Sequence, residues 1–208
     1  MREQTFQKTV RKKEDIEWLR VWCEDTNAAL PRVLLIGDSI TEGYQAGVRA
    51  RLKGIACVDC VATSYGVDMP IYREMLAAVA ADSSYAVVQY NFGLHAFRLD
   101  GAAYEKGYAA MLDRLAGCSR VVVATSTRAL NEARDDDDEA WRVKLAERNA
   151  IVKRLAAERN LIVNDLGALS QAIPTGYFLD HVHYRPEGYD LLAEQTELYL
   201  RQALRLGK

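Results

Sequence analysis

Several things are scarce in this 208-residue chain, and each scarcity removes a class of function. No apolar run approaches the roughly 20 residues that a helical membrane span needs. The net charge is −2, from 27 Lys and Arg against 29 Asp and Glu. That balance leaves no electrostatic footprint for nucleic acid or an anionic membrane surface. No G-x-G-x-x-G follows any strand pattern, which argues against a dinucleotide-binding protein. Cysteine is limited to Cys23, Cys57, Cys60 and Cys118. Cys57 and Cys60 have C-x-x-C spacing, but they fall in a probable strand with no second Cys/His pair nearby. They read as buried, inert thiols rather than a zinc or redox site. Neither a metal nor a cofactor is expected.

Residues 1–13 are polar and basic with no apolar core of a secretory signal, so a cytoplasmic location is expected. Repeats, low-complexity tracts and linkers are missing too, and the length suits one α/β unit. The expectation is one domain over residues 1–208, with 1–31 as a helical N-terminal extension packed on it.

What is present is an ordinary soluble composition, half hydrophobic and about a quarter charged. Residues 14–22 read as an N-terminal helix, with Ile16, Leu19 and Trp22 sharing a face. Val33–Ile36 is a short apolar run between Pro31 and Gly37, as in a buried parallel strand. A helix is expected over about 40–52, a second strand over 56–62 and a helix starting near Pro70. The third strand is Tyr85–Tyr90, followed by a helix whose apolar face carries Tyr104, Tyr108, Met111, Leu112 and Leu115. A fourth strand over 120–124 leads to the acidic run Asp135–Glu139. That run supplies negative charge to the start of a long helix reaching Arg159. A fifth strand at 161–164 and a closing helix from Pro186 complete the pattern. Strands alternating with helices imply a parallel sheet covered on both faces.

Three stretches of this pattern carry chemistry. Ser39 sits where the first apolar strand turns into a helix, among backbone N–H groups with no intrahelical acceptor. A hydroxyl there is placed to attack a carbonyl, with its own N–H facing the oxyanion. Ser39-x-x-Glu42 also matches a capping box, so helix capping is the competing reading. Asp180 and His183 are three residues apart and project to the same side of a turn. A carboxylate can then hold one imidazole nitrogen while the other faces a serine. His181, next to Asp180, points elsewhere. Asn91, Gly93 and His95 alternate at the exit of the third strand, at the end of the sheet where open α/β folds bind ligands.

Taken together, Gly37-Asp38-Ser39-Ile40 near the start and Asp180-His181-Val182-His183 before Pro186-Glu187-Gly188-Tyr189 resemble the SGNH hydrolase superfamily, also called GDSL esterases and lipases. The match spans about residues 32–200. The resemblance implies a three-layer α/β/α sandwich with a five-stranded parallel sheet in the flavodoxin-like order 2-1-3-4-5. It also implies Ser39 as nucleophile, His183 as general base and Asp180 as the group orienting His183. Oxyanion donors would be Ser39, Gly66 and His95, with Asn91 the alternate. Two departures stand out. Ser64-Tyr65-Gly66 lacks the family's Asn before glycine, and Gly93-Leu94-His95-Ala96 has His95 where the family pattern G-x-N-D has Asn.

The expected activity is ester hydrolysis through an acyl-enzyme, removing short acyl groups such as acetyl from a carbohydrate or other small substrate. A thioesterase or lysophospholipase is the alternative, as is a degenerate member that binds a glycan without cleaving it. Tyr44, Tyr65, Phe97, Tyr177 and Phe178 are candidate sugar-stacking aromatics, and Arg128 is a candidate for a polar substituent. Tyr65, Arg128 and Tyr177 are carried forward as substrate-binding candidates. The oligomeric state is left open.

Overall fold

The computed structural model describes residues 13–24, 29–117 and 120–205. Its sheet has six strands: β1 (Leu19–Trp22), β2 (Arg32–Gly37), β3 (Cys57–Thr63), β4 (Tyr85–Tyr90), β5 (Val121–Ala124) and β6 (Ile162–Asn164). They are ordered β1-β3-β2-β4-β5-β6. The five strands from β2 to β6 run parallel, in the expected flavodoxin-like order. The helices are α1 (Ser39–Arg51), α2 (Pro70–Ala81), α3 (Gly101–Leu115), α4 (Glu139–Glu158), α5 (Leu166–Ala172) and α6 (Pro186–Arg205).

Alternation along β2 divides the core into two layers. Leu34 and Ile36 face one apolar cluster with Tyr72 and Leu76 of α2, Tyr108 and Met111 of α3, and Val152 of α4. Val33 and Leu35 face the other, with Tyr44 and Val48 of α1 and Leu192 and Leu200 of α6. Both faces of β2 are therefore covered, which is why it reads as an unbroken apolar run. The carboxyl end of this central strand is where Ser39 emerges.

The N-terminal segment departs from expectation. Residues 14–22 do not form a helix; Leu19–Trp22 is an edge strand antiparallel to β3. The polar end of β3 holds it. Trp18 donates its N–H to Ser64 Oγ (2.9 Å), and Thr63 Oγ1 donates to the Trp18 carbonyl (2.7 Å). Leu19 and Val21 point to solvent rather than to a core, so the strand is not held by a buried apolar face of its own. Sheet pairing therefore overrides the weak helical pattern. Cys57 and Cys60 are buried within β3, and Cys118 lies outside the described residues.

Candidate active site

The turn after β2 is built for close approach. A Cβ at Gly37 would lie 2.0 Å from Thr41 Oγ1, so only glycine lets the strand fold straight into α1. Asp38 is the N-cap of that helix: its Oδ1 accepts the Ile40 N–H at 3.0 Å. The capping reading of Ser39 therefore fails, and the residue before it does that work. Ser39 is the first residue of α1, with its hydroxyl released from capping. Its N–H lies in the first helical turn, whose donors have no intrahelical acceptor.

The second part of the site is a pinched loop. Phe178 and Tyr184 pair as an antiparallel bridge with ring centroids 4.3 Å apart. Between them Leu179 donates its N–H to the His183 carbonyl at 2.8 Å. Inside this loop Asp180 Oδ1 accepts the N–H groups of Val182 (2.9 Å) and His183 (2.8 Å). Its Oδ2 lies 2.8 Å from His183 Nδ1. Burial pushes the Asp180 carboxyl up, but these hydrogen bonds outweigh it and hold the group below its ordinary range.

An ionised carboxylate only accepts, so His183 Nδ1 carries the proton and Nε2 is left to accept. His183 Nε2 lies 2.8 Å from Ser39 Oγ, across 144 residues of sequence. The Ser39 hydroxyl thus donates to His183, and His183 donates to Asp180. His181 turns the other way. Its Nδ1 lies 3.1 Å from the Asn131 carbonyl, and its own carbonyl accepts from Leu130 at 2.7 Å. It ties the loop to the segment before α4.

The third part follows β4. Gly93 packs so tightly on Ser126 that a Cβ would lie 1.5 Å from its Oγ. Arg148 of α4, fully buried, reaches under this loop. It donates to the carbonyls of Gly93, His95 (2.9 Å) and Ala96 (2.7 Å), with its guanidinium 4.9 Å from the Tyr104 ring. Ala96 is held at φ 52°, in the left-handed region. Asn91, the alternate donor, has its amide spent on the Ala124 carbonyl (2.9 Å) and Ser126 Oγ (3.5 Å). It bridges β4 to β5 instead of facing a substrate.

His95 has a partner that sequence reasoning missed. Its Nδ1 lies 3.0 Å from Glu14 Oε1, and the Trp18 ring meets it edge-on at 6.3 Å. Burial pushes the His95 imidazole down, but Glu14, Asp38 and Glu17 outweigh it and hold it above its usual value. The same hydrogen bond from His95 holds the Glu14 carboxyl below its usual value. No local signal marks Glu14, 81 residues away. Arg148 did leave one: Leu145, Arg148, Val152 and Leu155 repeat at helical spacing along the buried stripe of α4.

Gly66 follows β3, where a Cβ would lie 2.9 Å from Asp68 Oδ1 and 3.2 Å from the Ala96 Cβ, so the second and third loops touch there. A cavity of about 250 Å³ opens beside it, lined in part by Glu14, Glu17, Ser64, Phe97 and Arg98. The Lys13 amine lies 5.9 Å from the Tyr65 ring centroid. Of the other substrate candidates, all but Tyr177 are otherwise engaged. Arg128 bonds Asp137 (3.2 Å) and the Ile173 carbonyl (2.7 Å), and sits 5.3 Å from the buried Phe178 ring. Tyr44 and Phe178 belong to the core, so neither can stack on a sugar. Phe97 is exposed but packs edge-on against Trp141, and Tyr177 is exposed on a short 3-10 turn (Thr175–Tyr177). Asp138 of the acidic run caps α4, accepting from Trp141 at 2.9 Å.

Known structures share this arrangement of elements. A Veillonella parvula member of the lipolytic G-D-S-L family matches with TM-score 0.64 over 82% of this chain and 98% of its own, at 22% identity. This is the fold of the SGNH hydrolases. An Enterococcus faecalis lipase/acylhydrolase with the same fold matches with TM-score 0.60, over 85% and 97% of the two chains at 19% identity. A Geobacillus acetyl-xylooligosaccharide esterase in mutant form matches with TM-score 0.65, over 83% and 94% at 19% identity. No protein-family model matches the chain, and no curated protein matches it. The likeness to these structures is one of fold, at 19–22% identity.

Proposed function

We propose that this protein is a serine ester hydrolase that works through an acyl-enzyme and removes short acyl groups, acetyl foremost, from a carbohydrate or other small substrate. The observation that carries the reading is the chain of two 2.8 Å hydrogen bonds from Ser39 Oγ to His183 to Asp180, at the end of the central strand. Ser39 Oγ attacks the ester carbonyl carbon as its proton passes to His183 Nε2, and Asp180 steadies the imidazolium that results. The tetrahedral oxyanion is held by the N–H groups of Ser39 and Gly66 and by the His95 ring. His183 then gives its proton to the departing alcohol. In the second half it takes a proton from water, which attacks the acyl-Ser39 carbonyl, and returns that proton to Ser39 Oγ as the C–Oγ bond breaks and the acid is freed. The acetyl preference rests on the esterase neighbour, an acetyl-xylooligosaccharide esterase, and on the lack of any long insertion among the described residues to form a lid. Among the described residues no helix is long and apolar enough to cross a membrane.

A fluorophosphonate probe tests the reading. Wild type should label and Ser39→Ala should not; failure of wild type to label would leave a glycan-binding protein with an inert serine. Acetyl and octanoyl 4-nitrophenyl esters then separate the chemistries. A preference for octanoyl of about tenfold, worth ~1.4 kcal/mol in the transition state, would replace the acetylesterase by a longer-chain acyl hydrolase.

A further inference from the structure

The segment before β1 brings charge into the catalytic end of the sheet. Glu14 Oε1 sits 3.0 Å from His95 Nδ1, while Glu14 also accepts from the Ala96 backbone. Its own N–H donates to Glu17 Oε1 at 2.9 Å, and Glu17 Oε2 accepts from Ser64 Oγ at 2.8 Å. Arg148 fixes the backbone at the ring by donating to the carbonyls of His95 and Ala96. His95 is thus held by its ring and by its backbone, and its Nε2 has no hydrogen-bonding partner among the described residues.

Resting on the ester-hydrolase reading, we propose that Glu14 is a positioning residue that makes the oxyanion donor of this site an imidazolium. The reasoning is one of tautomers. An ionised carboxylate cannot donate, so the proton of a neutral His95 ring resides on Nδ1. Nε2 then presents a lone pair, which repels a developing negative charge. Only the doubly protonated ring offers N–H to Glu14 and to the oxyanion together. Glu14 and Glu17 from the N-terminal segment and Asp38 from the turn after β2 favour that cation. Burial opposes it; Arg98 beside Glu14 helps keep that acid ionised, and Arg148 meets only the His95 backbone carbonyl. The two imidazoles of the site therefore work in opposite charge states: His183 neutral to accept a proton, His95 charged to hold an anion. Activity therefore falls as pH rises and the His95 ring loses its second proton.

The test is a pH profile of kcat and KM for 4-nitrophenyl acetate, on the full chain, in wild type, Glu14→Gln, His95→Asn and the double variant. Wild type shows an alkaline limb in kcat. Glu14→Gln moves its alkaline limb to lower pH, lowering kcat at pH 8 by about tenfold, as loss of part of one oxyanion donor predicts, with KM changed less than about twofold. His95→Asn abolishes the alkaline limb, because an amide donates at every pH. In the double variant the two effects are not additive, since no ring is left to position. An alkaline limb unmoved by Glu14→Gln, or equal losses in both backgrounds, would overturn the proposal. The imidazole nitrogens followed by NMR in ¹⁵N-labelled protein give a readout independent of turnover: His95 titrates at lower pH in Glu14→Gln. Were Ser39 unreactive to fluorophosphonate, the hydrolase reading would fail while this titration still reported on the pair.

Discussion

Arg148 donates to the carbonyl of Ala96 at 2.7 Å from inside α4, and no carboxylate among the described residues pairs with it. A guanidinium with several donors in one plane fits the three carbonyls of residues 93, 95 and 96 in a way an ammonium cannot. Arg148→Lys should therefore leave buried carbonyls unmet and cost about 2–4 kcal/mol, at about 1–3 kcal/mol per unsatisfied group. Urea unfolding measures this, and a loss below about 1 kcal/mol would mean the clamp contributes little.

The two histidines of the pinched loop separate cleanly. His183→Ala should reduce kcat by about 10³-fold or more, the range seen when a triad base is removed. His181→Ala removes only a contact to the Asn131 carbonyl and should cost less than about threefold, a change expected of a residue outside the chemistry. Similar losses in steady-state kinetics would show that the wrong imidazole has been given the role.

Capping of α1 can be assigned by stability alone. Asp38→Ala should cost about 1 kcal/mol, since it strips the acceptor from the Ile40 N–H, whereas Ser39→Ala should cost much less. Thermal unfolding with the reverse order would return the cap to Ser39.

The Glu14–His95 pair sets a pH window for the docking of the N-terminal segment. The Glu14 carboxyl is lowered from 4.5, so its contribution is complete above that value and fades as pH falls through the depressed one. His95 is raised from 6.5, so its contribution is complete below that value and fades as pH rises through the elevated one. Amide hydrogen exchange of residues 14–18, corrected for intrinsic rates, should show most protection between those limits and less on either side. Protection flat from pH 4 to 9 would mean the pair does not hold the segment.

The parallel core was legible because its signals are local. A run such as Val33–Ile36, flanked by Pro31 and Gly37, has few alternatives to a buried strand, and five such runs alternating with helices fix the class, while the strand order came from the family resemblance. The contact between Ser39 and His183 was also expected, because Gly37–Ile40 and Asp180–His183 together resemble the SGNH motifs. What was missed depends on long-range partners. Leu19–Trp22 becomes a strand because β3 offers an unpaired edge, a fact its own side chains do not encode. Leu166–Ala172 is a seven-residue helix too short for a period, although Asp165 at its cap, accepting from Ala168 at 3.2 Å, was a readable start signal. The competing amide of Asn91 was legible as a residue but not as one already occupied by the Ala124 carbonyl.

The antiparallel strand Leu19–Trp22 also has a protective consequence. It shields the flank of Cys57–Thr63, a seven-residue stretch buried throughout and bearing a single ionisable carboxylate, Asp59. Clipping the chain after Trp22 would bare that row of amides and carbonyls, a ready template for another molecule to zip onto. Such a trimmed product would be expected to self-associate along the sheet, so the leading residues keep the molecules apart as well as furnishing Glu14.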